Sequence, residues 1–371
     1  MKKLFSLVAV LALVIASNAN AAEKYVGGGF EAAGSIVTGF GFQQGTTNGH
    51  PQAGFGVLGN YVPTKSAKAT QFNFFVDSVE LDLMKSFGEN IAFRSDIDFL
   101  RSAAGVSAVA LEQAYATANI PVGNGVEFML GRFNAPIGFE SVDVIANSTI
   151  SQSQILRTGL RPTNLTGAKL YYAFTDMVDL HWWFANNMTT DVANPVNDTL
   201  PSTGMRLGFN WGDEGMESTF GVSGAYGYEQ AKVKDPSFLG DLDWNWWLTE
   251  SFAFGGEVLF RRDNKVNAAG INAETLAGLV NLTYQFSDVW DGTFKYAFTK
   301  NYDTILLLGA QVPAWGGWEG YSNEFALAGS YALADNAKVM LEGHFDWIKT
   351  GAGANVKSYD YGAALAFGYN F

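Results

Sequence analysis

The chain ends Asp360-Tyr361-Gly362-Ala363-Ala364-Leu365-Ala366-Phe367-Gly368-Tyr369-Asn370-Phe371. Tyr361, Ala363, Leu365, Phe367, Tyr369 and Phe371 share one face of an extended backbone. Asp360, Gly362, Ala364, Ala366, Gly368 and Asn370 share the other. The first face is apolar, with aromatics towards its ends; the second is small or polar. Successive side chains of a strand point to opposite faces, so this stretch is a strand between an apolar medium and a wet interior.

The pattern recurs upstream. Met205, Leu207, Phe209 and Trp211 alternate with Gly204, Arg206, Gly208 and Asn210. Phe252, Phe254, Gly256, Val258 and Phe260 alternate with Ala253, Gly255, Glu257, Leu259 and Arg261. Val339, Leu341, Gly343, Phe345 and Trp347 alternate with Lys338, Met340, Glu342, His344 and Asp346. A helix would set Leu341 and Phe345 beside Glu342 and Asp346, so period two fits better than 3.6.

Composition agrees. Apolar residues make up 48% of 371, yet beyond the first twenty no run is long enough for a transmembrane helix. Only helices and closed sheets satisfy every backbone group in lipid. The expected fold is therefore all-β, a transmembrane antiparallel barrel.

Residues 1–21 read as a removable export segment: Lys2 and Lys3, an apolar stretch over 4–16, and the cleavage pattern Ala19-Asn20-Ala21. Residues 22–371 form the barrel domain. Without those two lysines the balance is 21 Lys+Arg against 36 Asp+Glu, or −15. That charge argues against nucleic acid as a partner. With no Cys, disulfides, thiolate chemistry and a lipid-bearing N-terminal Cys are excluded.

Short turns alternate with longer polar segments. Gly88-Glu89-Asn90, residues 121–125, Thr175-Asp176, residues 212–215, Thr249-Glu250-Ser251, Ser287-Asp288 and Ala334-Asp335-Asn336 suit tight reversals. Between them lie 43–69, 102–108, 134–164, 187–202, 229–241, 262–272, 300–321 and 349–357. Seven turns and eight loops give sixteen strands; one miscounted hairpin would make fourteen or eighteen. The even count leaves both mature termini on the periplasmic side.

Trp182, Trp183, Trp244, Trp246 and Trp247 lie near strand ends, as do Trp347 and Phe371. They read as a girdle at headgroup level, with an aromatic track for sugars as the alternative. Inward alternation places Arg94, Asp96, Asp98, Lys169, Asp179, Arg206, Asp243, Glu257, Arg261, Asp291, Lys295, Lys338, Glu342 and Asp346 in the lumen. Charge there sets ion preference, and the acid excess predicts weak preference for cations.

Pro136 stops the strand over 127–133 by removing a donor. About thirty residues then run to Asn164, the longest loop in the chain, joining strands five and six. Ile137, Phe139, Ile150, Ile155 and Leu156 give it apolar anchors, which predicts that it folds inward, with an outward cap as the alternative. Glu140 and Asp143 would then face basic wall residues across a constriction.

Leu111-Glu112-Gln113-Ala114-Tyr115, Gly131-Arg132-Phe133-Asn134-Ala135-Pro136-Ile137-Gly138-Phe139-Glu140 and Pro162-Thr163-Asn164-Leu165-Thr166-Gly167-Ala168 resemble motifs of the OmpL-like beta-barrel porin-2 family. The likeness covers 110–185 well and the rest through the barrel pattern. It implies a bacterial outer-membrane porin passing small hydrophilic solutes and ions by diffusion. It fixes no solute and carries no catalytic residues. The terminal Phe371 resembles the signal read by the barrel-assembly machinery. A trimer follows from analogy with porins of this size.

Other chemistry finds little support. The three His (His50, His181, His344) make no zinc-protease pattern, and phosphate-loop and EF-hand patterns are absent. Period-two neighbours of His181 and His344 leave a barrel hydrolase open as a minor alternative, beside an adhesin and a channel selective for a sugar or organic ion. No cofactor or metal is expected; the loop over 191–198 matches no known calcium spacing. Residues 305–318, with Leu306-Leu307-Leu308, are apolar enough to meet lipopolysaccharide or a neighbouring protomer.

Overall fold

A computed structural model describes residues 30–46, 68–101, 107–157, 159–188, 201–228, 236–264, 272–302, 319–352 and 354–371. The export segment 1–21, the loop over 191–198 and residues 305–318 fall outside them.

Alternation of outward apolar and inward polar residues carries the chain through sixteen strands. The first six are β1 (Glu31–Thr46), β2 (Lys68–Phe87), β3 (Ile91–Arg101), β4 (Ser107–Ile120), β5 (Val126–Asn134) and β6 (Asn164–Thr175). Then come β7 (Val178–Ala185), β8 (Ser202–Trp211), β9 (Ser218–Gly227), β10 (Ser237–Thr249) and β11 (Phe252–Asp263). The last are β12 (Ala273–Ser287), β13 (Trp290–Asn301), β14 (Glu319–Ala334), β15 (Ala337–Ala352) and β16 (Ala354–Asn370). Each pairs antiparallel with its neighbours, and β1 closes on β16. At the seam Ser35 lies opposite Asn370, and Gly34 and Phe371 exchange two backbone hydrogen bonds of 3.0 Å. A closed sheet has no unpaired edge, so no backbone group is left bare in hydrocarbon.

All seven short turns fall where the sequence places them. Several segments read as loops are paired backbone instead. β10 starts at Ser237, and β15 and β16 continue pairing to Ala352 opposite Ala354, across most of 349–357. Polar composition reports water on both faces, and a hairpin standing clear of the bilayer is wet on both faces while still paired.

The outer surface carries two aromatic belts. On the short-turn side Trp246 lies within ring-contact distance of Trp211, Phe220, Trp244 and Phe254, and Tyr369 stacks on Phe371. On the other side lie Trp182 with Phe184, Tyr321 with Trp347, and Phe345 with Tyr359. From Tyr361 to Phe371 is about 33 Å along a strand at ~3.3 Å per residue. A tilt near 40° projects this to about 25 Å, the height of an outer-membrane apolar band.

The girdle assignment needs one correction. Trp183 is 0% exposed and Trp247 lines an interior recess. Each follows an outward Trp, and period two forbids consecutive residues from sharing a face. Trp182, Trp244, Trp246, Trp347 and Phe371 keep the outward face.

Leu341 sits opposite Leu365, midway between the belts. A lysine at a lipid-facing midplane position costs roughly 2–4 kcal/mol. We therefore expect Leu341→Lys to lower the unfolding free energy by that amount in urea titrations of the barrel in lipid vesicles. A change within the ~0.5 kcal/mol of ordinary surface substitutions would place this side chain in water.

Candidate functional site in the lumen

β5 and β6 are joined by residues 135–163, which carry a 3-10 turn, Val144–Ala146, and a short helix α1, Gln154–Arg157. The base is closed by Ala135 N–H donating to the Thr163 carbonyl at 2.8 Å. Asn147 clamps the turn before it: its amide accepts from Ser141 N–H and donates to the Ser141 carbonyl, both at 2.9 Å.

Apolar residues attach this segment in two places. Ile137, Ile155 and Leu160 join a buried cluster with inward-facing Phe133, Leu165, Trp183, Leu259 and Leu279. Val144 and Ile150 join Val37, Phe75, Met340 and Ala366, with Ile145 packed alongside. Phe139 lies against Gly255, where an added Cβ would fall 2.3 Å from the ring.

Polar contacts then run strand by strand along the wall. On β11, Glu257 accepts from Phe139 N–H at 2.7 Å, with Arg161 Nε at 3.6 Å. Arg261 donates to the carbonyls of Gly159 and Leu160 at 3.0 and 3.1 Å and is paired with Asp263. On β12, Asn281 donates to Ser148 Oγ at 2.9 Å. On β13, Lys295 is 2.9 Å from Glu140 and donates to Thr149 Oγ1 and the Ser151 carbonyl. On β14, Glu324 accepts from Gln154 N–H at 3.0 Å and Arg157 at 2.5 Å. On β15, Glu342 accepts from Ile150 and Ser151 N–H, and Lys338 donates to the Asn147 carbonyl at 3.0 Å.

The Glu140 carboxyl is fully enclosed. Burial pushes its pKa up, but the Lys295 ammonium and hydrogen bonds from Ser153 outweigh that and hold it below the ordinary carboxylate range. Arg157 is similarly enclosed; burial disfavours its charge, and Glu324 and Asp346 restore it and raise its pKa.

Gly138 has φ +88°, and a Cβ there would meet Glu257 Oε2 at 2.4 Å and Arg161 at 2.5 Å. Gly138→Ala is thus both strained and crowded at the Glu257–Arg161 contact. It is expected to speed protease cleavage within 140–160 in the folded barrel without changing the heat-shifted electrophoretic mobility that reports closure. Unchanged cleavage would mean the contact holds nothing in place.

A different set of charges gathers on β2, β3 and β4. Arg94 pairs with Asp96 at 2.8 Å and Asp82 at 3.4 Å, and Gln113 donates to Asp96 at 2.5 Å. Asp98 lies opposite Glu80 in the ladder. Carboxylate oxygens of Glu80, Glu112 and Asp143 lie within 4.8 Å of one another, as do those of Glu80, Asp82 and Asp96. Burial pushes the Asp143 carboxyl above its ordinary range; Asp96 adds to that rise and Arg94 opposes it. Six carboxylates thus share one neighbourhood with Arg94. A third set joins Arg206 to Asp243 at 2.7 Å and Asn210 to Asp179 at 2.6 Å, on β7, β8 and β10.

The sequence-derived residues therefore divide into groups. Glu140, Glu257, Arg261 and Lys295 come together as fastenings of 135–163. This corrects the expected transverse field: Lys295 does not oppose Glu140 across a gap but neutralises it in contact. Arg94, Asp96, Asp98 and Asp143 gather at the acidic wall, and Arg206 stands apart. Arg157, Arg161, Glu324, Glu80, Asp82 and Glu112 were missing from the sequence-derived set. Glu80 and Asp82 sit in alternating strand sequence (Val79-Glu80-Leu81-Asp82-Leu83), so period two carried their signal, whereas Glu112 lies at a register shift between β3 and β4, where it and Gln113 are both buried. Arg157 and Arg161 lie off any strand and had none.

A closed barrel with aromatic belts outside and ionised groups inside is a channel of a bacterial outer membrane, a porin. The chain belongs to the family described as beta-barrel porin-2, OmpL-like, whose model matches residues 29–371. Similar solved structures include the outer-membrane channel DcaP of Acinetobacter baumannii (TM-score 0.63, 13% identity, 92% of this chain and 98% of that one). Another is the anion-selective porin of Comamonas acidovorans (TM-score 0.60, 11% identity, 92% and 99%). The trimer form of OmpT of Vibrio cholerae is also similar (TM-score 0.55, 12% identity, 92% and 99%). At these identities the likeness is one of fold. No curated protein sequence matches the chain.

Proposed function

We propose that this porin passes small hydrophilic solutes through an eyelet bounded by residues 135–163 and the β2–β4 wall, and that it prefers cations. The supporting observation is the gathering of Glu80, Asp82, Asp96, Asp98, Glu112 and Asp143 around Arg94 where that segment meets the wall. Fixed charge in a narrow passage raises the local concentration of the opposite ion. Catalysis forms no part of this reading.

The remaining elements follow the same logic. Residues 1–21 would direct export, and Phe371 would present the β16 end to the barrel-assembly machinery. Lipid and lipopolysaccharide would contact the aromatic belts. A homotrimer is proposed by likeness to the OmpT trimer form.

Planar-bilayer recording tests the central claim. Purified barrel should give ohmic steps in KCl, with a reversal potential of cation-preferring sign in a salt gradient. Absence of steps would end the channel reading for this chain; steps of anion-preferring sign would end the cation reading alone.

A further inference from the structure

Between the segment 135–163 and the short-turn half of β8 to β13 lies a recess of about 510 Å³, within the ~300–1,000 Å³ of small-molecule pockets. Its lining differs in kind from the acidic wall. Two ion pairs border it, Arg206 with Asp243 and Lys295 with Glu140, and each cancels its own charge. The Arg206–Asp243 pair lies over Gly221, where an added Cβ would fall 2.3 Å from Asp243 Oδ2. Two planar hydrogen-bonding groups are thereby presented as a floor.

Trp247 supplies an aromatic face. Its neighbours Trp244 and Trp246 join the outer belt, while Trp247 stands opposite inward-facing Ala253 and lines the recess. Its backbone N–H donates to Ser218 Oγ at 3.0 Å, and its ring meets no other ring among the described residues. Asn245 shares its face. Asn281, 7% exposed, donates to Ser148 through its amide nitrogen, and its Oδ1 takes no partner among the described residues. A buried amide oxygen left without a donor calls for one from water or ligand.

These features select a ligand class. No net charge attracts an ion, and amides, hydroxyls and paired charges disfavour an apolar solute. A neutral ring with an array of hydroxyls and a C–H face satisfies every group: hydroxyls both donate and accept, and the C–H face covers an indole. We propose that the recess is a sugar-binding subsite on the permeation path, with Trp247 stacking on a pyranose. Asn245, Asn281 and the Arg206–Asp243 pair bind its hydroxyls. This rests on the channel reading above.

The test is block of KCl current by maltose in the full-length barrel. Maltose should reduce the wild-type current saturably, with half-block on the order of millimolar. Trp247→Ala should raise the half-blocking concentration about tenfold, as loss of an aromatic anchor does, whereas Trp247→Phe, which keeps a ring face, should raise it much less. Asn245→Ala gives a second reading should Trp247→Ala not assemble, and lipid-facing Leu341→Ala serves as control. KCl steps without maltose-dependent block would overturn the sugar site while leaving the channel standing. So would equal block in wild type and Trp247→Ala, or block by succinate or arginine but not maltose.

Discussion

Lys295→Met should open this porin's lumen. Lys295 and Glu140 are only 4% and 3% exposed, so the substitution strands a carboxylate in a buried site. Breaking a buried ion pair from one side typically costs about 3–5 kcal/mol, and Lys295 also fastens Thr149 and Ser151. The cost falls on the docking of 135–163, since β13 keeps its backbone pairing to β12 and β14. We expect larger and noisier single-channel steps, and rapid cleavage within 140–160, from a barrel that still migrates as folded. The double variant Glu140→Leu/Lys295→Met removes both charges and should recover much of the loss, because a buried pair replaced by apolar groups is often neutral.

The same pair sets the pH dependence of docking. The Glu140 pKa is depressed in the folded barrel. Its contribution is therefore fully present above the ordinary glutamate value of about 4.3, and is lost as pH falls through the depressed value. Steps should stay quiet from neutrality down to about pH 4 and become noisy below it. In Glu140→Gln that acid transition should vanish. Noise that sets in near pH 7 would assign the fastening to another group.

How much of this was legible follows from the range of each signal. β16 could be read to its last residue, because a strand between lipid and water declares both faces within one stretch of chain. Turns such as Gly88-Glu89-Asn90 were legible for a local reason also: reversal needs particular backbone conformations. Trp183 was misread because strand-end position was weighed above alternation. The fastenings were half legible. Inward alternation points Lys295, Glu257 and Arg261 away from lipid, but their partners Glu140, Arg161 and the Gly159 carbonyl lie in a segment with no period. Which wall such a segment meets depends on barrel closure, a relation between residues 96 to 155 positions apart. Trp247 was legible as an aromatic but not as a lumen residue, for the same reason as Trp183.

Neutralising the acidic wall should abolish ion preference with little change in pore size. Glu80→Gln, Glu112→Gln and Asp143→Asn together replace three carboxyl groups whose oxygens lie within 4.8 Å of one another, and retain their shape. Ideal cation selectivity gives ~59 mV per tenfold gradient of a monovalent salt. The wild type should show a fraction of that and the triple variant a value near zero. At 1 M salt the screening length falls to about 3 Å from about 10 Å at 0.1 M, so wild type and variant should converge. Acidification acts in the same direction, and Asp143 yields early. Its pKa is raised, so its charge is lost above the ordinary aspartate value of about 3.9, before the depressed Glu140 releases the segment. A porin of this build should thus lose part of its cation preference first, and its quiet conductance only at lower pH. A triple variant with the wild-type reversal potential at 0.1 M salt would move the selectivity filter away from this wall, leaving the Arg206–Asp243 region as the next place to look.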